Sequence, residues 1–206
     1  MSFRDTWRYD HGDPSILLFD RAVKAGWIDL PPGARVLELG CAETDFSHWL
    51  LKADPTIQLT GVDVNVPQQF EGTFIRGNAS DHDFGVSTFD AVILLGSLEH
   101  FGLGFYGDGI DGEADMRAIE QAERALVPGG WCYYDVPWTP AEGYTTENRH
   151  FRVYDDKQVS YRISGRSLWP KHRMYAHGET NAYQPIRPDV PATPFWYLQR
   201  LLEKPA

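Results

Sequence analysis

The chain has 206 residues, 42% of them hydrophobic and 14% aromatic, enough for one substantial core and short for two. A formal net charge of -10 at pH 7, from 19 basic and 29 acidic residues, argues against nucleic acid as a partner, because affinity for a phosphate backbone comes from lysines and arginines displacing counterions. The opening MSFRDTWRYDHGDPS is polar and turn-rich, without a membrane-spanning run or a leader pattern, so a soluble, cytoplasmic protein away from membranes is expected.

The first helical pattern runs from Pro14 to Ala25 with Ile16, Leu17, Phe19, Ala22 and Val23 on one face. Gly26 and Pro31-Pro32-Gly33 end it, and its place is expected at a sheet edge. Upstream, Trp7 and Tyr9 suit either packing or a lid. From about Ala34 to Pro137 short apolar runs alternate with helical segments, the pattern of βα units that builds a parallel sheet. Strands are predicted at Arg35 to Gly40, Ile57 to Asp63, Thr73 to Arg76, Phe89 to Gly96 and Trp131 to Val136, several nearly all apolar, as doubly covered strands are. Crossover helices are predicted at Asp45 to Ala53 and at Glu113 to Val127. The latter carries Met116, Ile119, Ala122 and Leu126 on one face and is stopped by Pro128-Gly129-Gly130. Val64 to Gly72 leaves room for no more than a turn or two of helix.

After Pro137 a polar loop to Asn148 leads to a predicted helix, Asp155 to Ile163, and to strands Leu168 to Ala176 and Phe195 to Glu203. Pro185, Pro188, Pro191 and Pro194 make the link between those strands irregular, an excursion suited to covering substrate. The whole reads as one α/β domain, with a helical segment at 1–33, a core at 34–137 and a C-terminal part at 138–206. Cys41 and Cys132 lie in apolar runs and are expected as reduced core thiols, in keeping with an intracellular compartment.

The strongest chemical signal is Val36-Leu37-Glu38-Leu39-Gly40-Cys41-Ala42 closing the first strand, followed by Gly61-Val62-Asp63-Val64-Asn65 closing the second. At the carboxyl edge of a doubly wound sheet, glycine lets backbone approach a ligand, and an acid at the second strand tip takes ribose hydroxyls. Asp63 can alternatively cap the turn that follows it. Glu38 is an acid inside a buried strand and needs a backbone N–H or a charged ligand end as partner.

These residues resemble the class I S-adenosylmethionine-dependent methyltransferases over roughly residues 30 to 140. Glu38-Leu39-Gly40-Cys41 is similar to the family's first motif, and Asp63 matches the acid after its second strand. Arg76-Gly77-Asn78-Ala79-Ser80-Asp81 resembles the segment framing adenine, Phe89-Asp90-Ala91-Val92-Ile93 the fourth-strand motif, and Leu126-Val127-Pro128-Gly129-Gly130 the turn before the fifth. The resemblance implies a Rossmann-like three-layer sandwich with a mostly parallel seven-stranded sheet and an antiparallel last strand. It implies S-adenosylmethionine as cofactor, held by Glu38, Gly40, Cys41, Ala42, Asp63, Val64, Asn78, Ala79 and Gly96. The family's turn usually has three glycines, whereas this chain has Gly40, then Ala42 and Thr44; with no pyrophosphate to accommodate, a small residue suffices at Ala42. Asn78 stands where the family more often has Asp, and it can still offer a carbonyl to an adenine amino group.

The stretch from Ser97-Leu98-Glu99-His100 to Tyr106-Gly107-Asp108 is similar to bacterial small-molecule methyltransferase-like proteins, often encoded near polysaccharide or secondary-metabolite genes. A small-molecule acceptor is therefore expected, methylated on oxygen or nitrogen, with a homodimer left open. If the acceptor is a hydroxyl, a general base is required. His150, His100, Asp108 and Tyr106 are the candidates, His150 first because it ends a polar loop. No metal is expected: a calcium loop from Asp111 would need Gly and an acid where Met116 and Ala122 stand, so Asp108, Asp111, Glu113 and Asp115 read first as caps for the helix near Glu113, with a magnesium site organising a substrate diol as the lesser alternative. His172 and His177 lack a third zinc ligand. Two alternatives stand: a non-catalytic S-adenosylmethionine-binding module of the same fold, and a nicotinamide-dependent oxidoreductase. Against the second, none of Lys24, Lys52, Lys157, Lys171 and Lys204 has a Tyr four residues before it.

Overall fold

The computed structural model describes residues 2–145, 150–177 and 196–206. In chain order its elements are α1 (Phe3–Thr6), α2 (Pro14–Lys24), β1 (Arg35–Leu39), α3 (Phe46–Ala53), β2 (Gln58–Asp63), β3 (Thr73–Arg76), β4 (Phe89–Leu94), α4 (Ala114–Ala125), β5 (Leu126–Trp138), β6 (Tyr144–Thr145), β7 (Arg152–Val153), α5 (Asp156–Arg162), β8 (Trp169–His177) and β9 (Trp196–Glu203). A turn of 3-10 helix, Leu98–His100, follows β4.

Seven strands form one sheet in the order β3-β2-β1-β4-β5-β9-β8. Strands β1 to β5 pair in parallel, and β9 runs antiparallel to both β5 and β8. The chain starts at the centre of the sheet, builds β2 and β3 outward, then crosses back over β1 to lay down β4 and β5. That reversal leaves a crevice outside the carboxyl ends of β1 and β4, the usual ligand position in such sheets.

Alternation along the strands supplies two cores. Leu37 and Leu39 of β1 meet Ala118, Ile119 and Ala122 of α4 and Val159 of α5 on one face. Val36 meets Phe19 and Val23 of α2 and Phe46 and Leu50 of α3 on the other. Helix α2 therefore lies on a sheet face and not at its edge, its apolar stripe being too wide to satisfy there. Phe19 sits edge-on to Phe46 at 5.0 Å and to Tyr133 at 5.3 Å, and burying such a ring contributes about 1.5–3 kcal/mol. Asp13 caps α2 by accepting from the Ser15 and Ile16 amides, with Pro14 in the first turn, where its missing N–H costs nothing. Trp7 and Tyr9 are buried in the same core, and Trp7 Nε1 donates to Asp20 at 3.1 Å, so both pack and neither is a lid.

Three expectations are corrected. Helix α4 ends at Ala125, and Pro128-Gly129-Gly130 lies inside β5 as an irregularity in its pairing with β4. Gly129 takes φ +80° and donates to the Lys204 carbonyl at 2.8 Å, while Lys204 Nζ caps α4 through the Glu123 and Leu126 carbonyls. Met116 is half-buried, because the buried stripe of α4 runs through Ala114, Asp115, Ala118, Ile119, Ala122 and Ala125. The segment between β2 and β3 contains no helical turn. The proline-punctuated stretch from Pro185 to Pro194 falls outside the described residues, as do Phe195, Asn148 and Arg149. Among the described residues no helix is long and apolar enough to cross a membrane.

Candidate active site

The loops at the carboxyl ends of β1 to β5 and the start of α2 enclose a cleft of about 310 Å³. Of the residues singled out from sequence, Gly40, Ala42, Asp63, Val64, Asn78, Ala79, Gly96, His100, Tyr106, Asp108 and His150 line it together, whereas Glu38 and Cys41 do not.

The floor is fixed by Gly40. It takes φ +80°, and a Cβ there would fall 2.4 Å from the Cβ of Ser97, so only glycine lets the end of β1 close on the loop after β4. Asp63 performs two tasks, accepting from the Ala42 amide at 3.0 Å and from the Asn65 amide at 2.8 Å. It thus caps its own turn and also holds the first loop in place. Asn78 departs from expectation: its side-chain carbonyl accepts from both the amide and the hydroxyl of Ser80, which fills its lone pairs, so it shapes the loop after β3 instead of offering a free acceptor. Cys41 is fully buried behind the cleft and fills the space beside Gly61, where a Cβ would lie 2.7 Å from its sulfur.

Glu38 lies beneath the lining at 1% exposure. Its Oε1 accepts from the Thr44 hydroxyl at 3.0 Å, and its Oε2 has no hydrogen-bond partner among the described residues. Burial pushes its carboxyl up to about 8, opposed by the Thr44 bond and reinforced by the charges of Asp63 and Asp13.

On the loop after β4, His100 Nδ1 donates to the His150 carbonyl. A carbonyl can only accept, so this bond fixes the tautomer and leaves Nε2 with its lone pair. Burial holds the imidazole down at about 4, hence neutral near pH 7. The His150 ring packs on Phe105 with centroids 4.0 Å apart. Tyr106 donates its hydroxyl to Glu43 at 3.2 Å and bridges the loops after β1 and β4. Asp108 accepts from the Gly102 and Gly104 amides, which holds its loop together.

The remaining acids serve the scaffold. Asp111 pairs with Arg117 and accepts from the Glu113 amide. Asp115 is fully buried and accepts from Tyr154 Oη at 2.9 Å and from Arg162 Nε at 2.9 Å and Nη2 at 2.6 Å, with Arg152 Nε at 3.9 Å. Arg152 also donates to the Phe101 carbonyl at 2.6 Å, so this network ties α4 to the segment carrying His150 and Phe151 into the cleft.

Several lining residues escaped the sequence: Asp13 at the cap of α2, Ser15 in its first turn, Glu43, Glu99, Phe101, Phe151 and Tyr197. Glu99 had a signal, standing beside His100 in the stretch after β4; Asp13 had none beyond its capping pattern. The lining carries Asp13, Glu43, Asp63, Glu99 and Asp108 and, among the described residues, no lysine or arginine.

The buried acids have a measurable signature. Asp135, like Glu38, is pushed up to about 8 by burial, and Glu99 is raised well above the carboxylate range by burial and then by the charge of Asp135. In the fold these groups keep protons that the unfolded chain releases near pH 4, so the stability they contribute is lost as pH rises towards 8. His100 acts in the opposite sense, but only between about 4 and 6.5. The melting temperature of the ligand-free protein should therefore fall by more than about 3 °C between pH 6.5 and 8.5, and Glu38→Gln should flatten part of the slope. A level melting profile across that window would show the three carboxyls to be ordinary.

This strand order, with glycine at the end of β1, an acid at the end of β2 and a cleft over the crevice between β1 and β4, defines the class I S-adenosylmethionine-dependent methyltransferase fold. The family described as "Methyltransferase domain" matches residues 15–170, and the chain belongs to it. S-adenosylmethionine is its cofactor, and a cleft of carboxylates and neutral groups suits that cationic sulfonium. The chain is similar to the Burkholderia thailandensis 1,6-didemethyltoxoflavin-N1-methyltransferase (18% identity, 93% of this chain and 76% of that one, TM-score 0.62). It is likewise similar to coclaurine N-methyltransferase (10%, 97% and 76%, 0.66) and to the [4+2]-cyclase SpnF (17%, 98% and 86%, 0.67). At these identities the likeness establishes a shared fold. No curated protein matches the chain significantly.

Proposed function

We propose that this chain transfers a methyl group from S-adenosylmethionine to a small-molecule acceptor seated beneath the loops after β4 and β5. The observation that carries this reading is the acidic cleft, without lysine or arginine among the described residues, in which Asp63 holds the first loop against the second. When bound, the cofactor supplies a methyl carbon made electrophilic by its sulfonium. Asp63 would take the ribose, the backbone at Gly40, Ala42 and Gly96 the amino-acid end, and Asn78 and Ala79 the adenine side. The chain's remaining task is alignment and exclusion of water, to which Phe101, Tyr106 and Phe151 contribute apolar cover.

For a hydroxyl acceptor, His100 replaces His150 as the preferred base, because its tautomer leaves an unprotonated Nε2. Asp108, engaged by two amides, holds its loop, and Tyr106 helps close the cleft. The acidic balance of the chain supports a small molecule over nucleic acid. Two structures of this fold are named N-methyltransferases and hold small organic molecules together with S-adenosylhomocysteine, which supports the substrate class. SpnF, named a cyclase, requires that the assay read methyl transfer itself. Calorimetric titration should show S-adenosylhomocysteine binding in preference to NAD, and incubation of S-adenosylmethionine with pooled metabolites should yield a product heavier by one methylene. Preference for NAD, or cofactor binding with no product, would overturn the reading.

A further inference from the structure

Glu99 is a buried acid of the cleft with one oxygen unpartnered among the described residues. It lies on the 3-10 turn after β4, lines the cleft at 3% exposure, and its Oε2 has no hydrogen-bond partner among the described residues. Asp135 of β5 is fully buried, and neither of its oxygens makes a hydrogen bond of normal geometry. The Gly96 amide and Ser15 hydroxyl stand close enough to favour its charged form. The two acids come together because β4 and β5 are parallel neighbours, Leu94 opposite Tyr134. Arg152 offsets part of the Glu99 charge but is committed to the Phe101 carbonyl and to Asp115.

A buried acid without a partner keeps its proton, and it ionises only where a cation comes to pair with it. The sulfonium brings a single positive charge, fewer than the acids around the cleft. The half-buried rings of Phe101, Tyr106 and Phe151 line the same space, and aromatic faces attract cations. We propose that the methyl acceptor is an amine, which enters as its ammonium and is held by Glu99 with Asp135 behind it. This rests on the methyl-transfer reading and assigns its substrate class.

The step balances as follows. Pairing with the ammonium displaces the Glu99 proton to solvent; the ammonium then gives one proton to the carboxylate so formed, and the freed nitrogen lone pair forms the new N–C bond. The C–S bond breaks with its electron pair going to sulfur, which becomes a neutral thioether. The product leaves as a methylammonium, and Glu99 keeps the transferred proton, as at the start of the cycle. Burial and the charge of Asp135 make Glu99 a stronger base than an exposed carboxylate, as this transfer requires.

The test is calorimetry on the protein saturated with S-adenosylhomocysteine, using 2-phenylethylamine, cyclohexylamine and putrescine and the alcohols of the same skeletons. At least one amine should bind about tenfold or more tightly than its alcohol. Glu99→Gln should erase that preference while leaving affinity for S-adenosylhomocysteine within about threefold. Alcohols that bind as well as amines, no amine binding, or a preference that survives in Glu99→Gln overturns the proposal. Should the variant fail to fold, the wild-type comparison decides alone. Failure of S-adenosylhomocysteine to bind would instead remove the methyl-transfer reading, and this inference with it.

Discussion

Asp115→Asn should lower the midpoint of thermal unfolding by about 6–20 °C, read by calorimetry or circular dichroism. The carboxylate is fully buried and is contacted by Tyr154, Arg162 and Arg152. Removing one member of such a network typically costs about 3–5 kcal/mol, because the opposite charge stays behind unpaired, and each kcal/mol moves a chain of this size by about 2–4 °C. Arg162 keeps 20% of its side chain in water, which favours the lower half of the range. The variant should also lose turnover, since Arg152 and Tyr154 border the segment that brings His150 and Phe151 to the cleft. A shift below about 2 °C would mean that water replaces the carboxylate and that the network is dispensable.

Asp63→Ala should weaken S-adenosylhomocysteine binding about ten- to a hundredfold, the equivalent of about 1.5–3 kcal/mol for hydrogen bonds to a charged acceptor. Part of the loss arises without the ligand, because the Ala42 and Asn65 amides lose their common acceptor and the first loop is no longer tethered to the second. Asp63→Asn separates the contributions: its carbonyl can still accept from one amide but carries no charge. Binding by Asp63→Asn near wild type would place the effect in loop geometry, whereas a loss as large as that of Asp63→Ala would place it in the charge. A loss below threefold in both would move the ribose elsewhere.

The half of the cleft built by the loops after β1 and β2 was legible because its determinants are local. Gly40 ends an apolar run and Asp63 ends the next, and two such ends become neighbours once the sheet is parallel. Strand positions were legible for the same reason, since nearly continuous apolar runs report burial on both faces. The half built by the loops after β4 and β5 was not, because it depends on contacts between distant segments. Glu99 and Asp135 are 36 residues apart and meet through the pairing of β4 with β5. Asp13 reaches the cleft because α2 lies across a face, which a hydrophobic stripe does not specify. Pro128-Gly129-Gly130 stops a helix and kinks a strand equally well, so composition could not place the boundary. His150 looked free in a polar loop, but the fold uses its backbone carbonyl to set the tautomer of His100.

Glycines in a turn of this kind are commonly counted, and this chain has fewer than its relatives' pattern asks for. The count matters less than what each position would strike. At Gly40 a methyl group would collide with Ser97 at 2.4 Å, while Ala42 borders the open cleft and carries its methyl without eviction. Over evolutionary time the turn is therefore free to drift at Ala42 and Thr44 and pinned at Gly40. Descendants of such a protein would be missed by a motif demanding three glycines, yet found by one that asks for a single glycine facing a small residue of the fourth-strand loop.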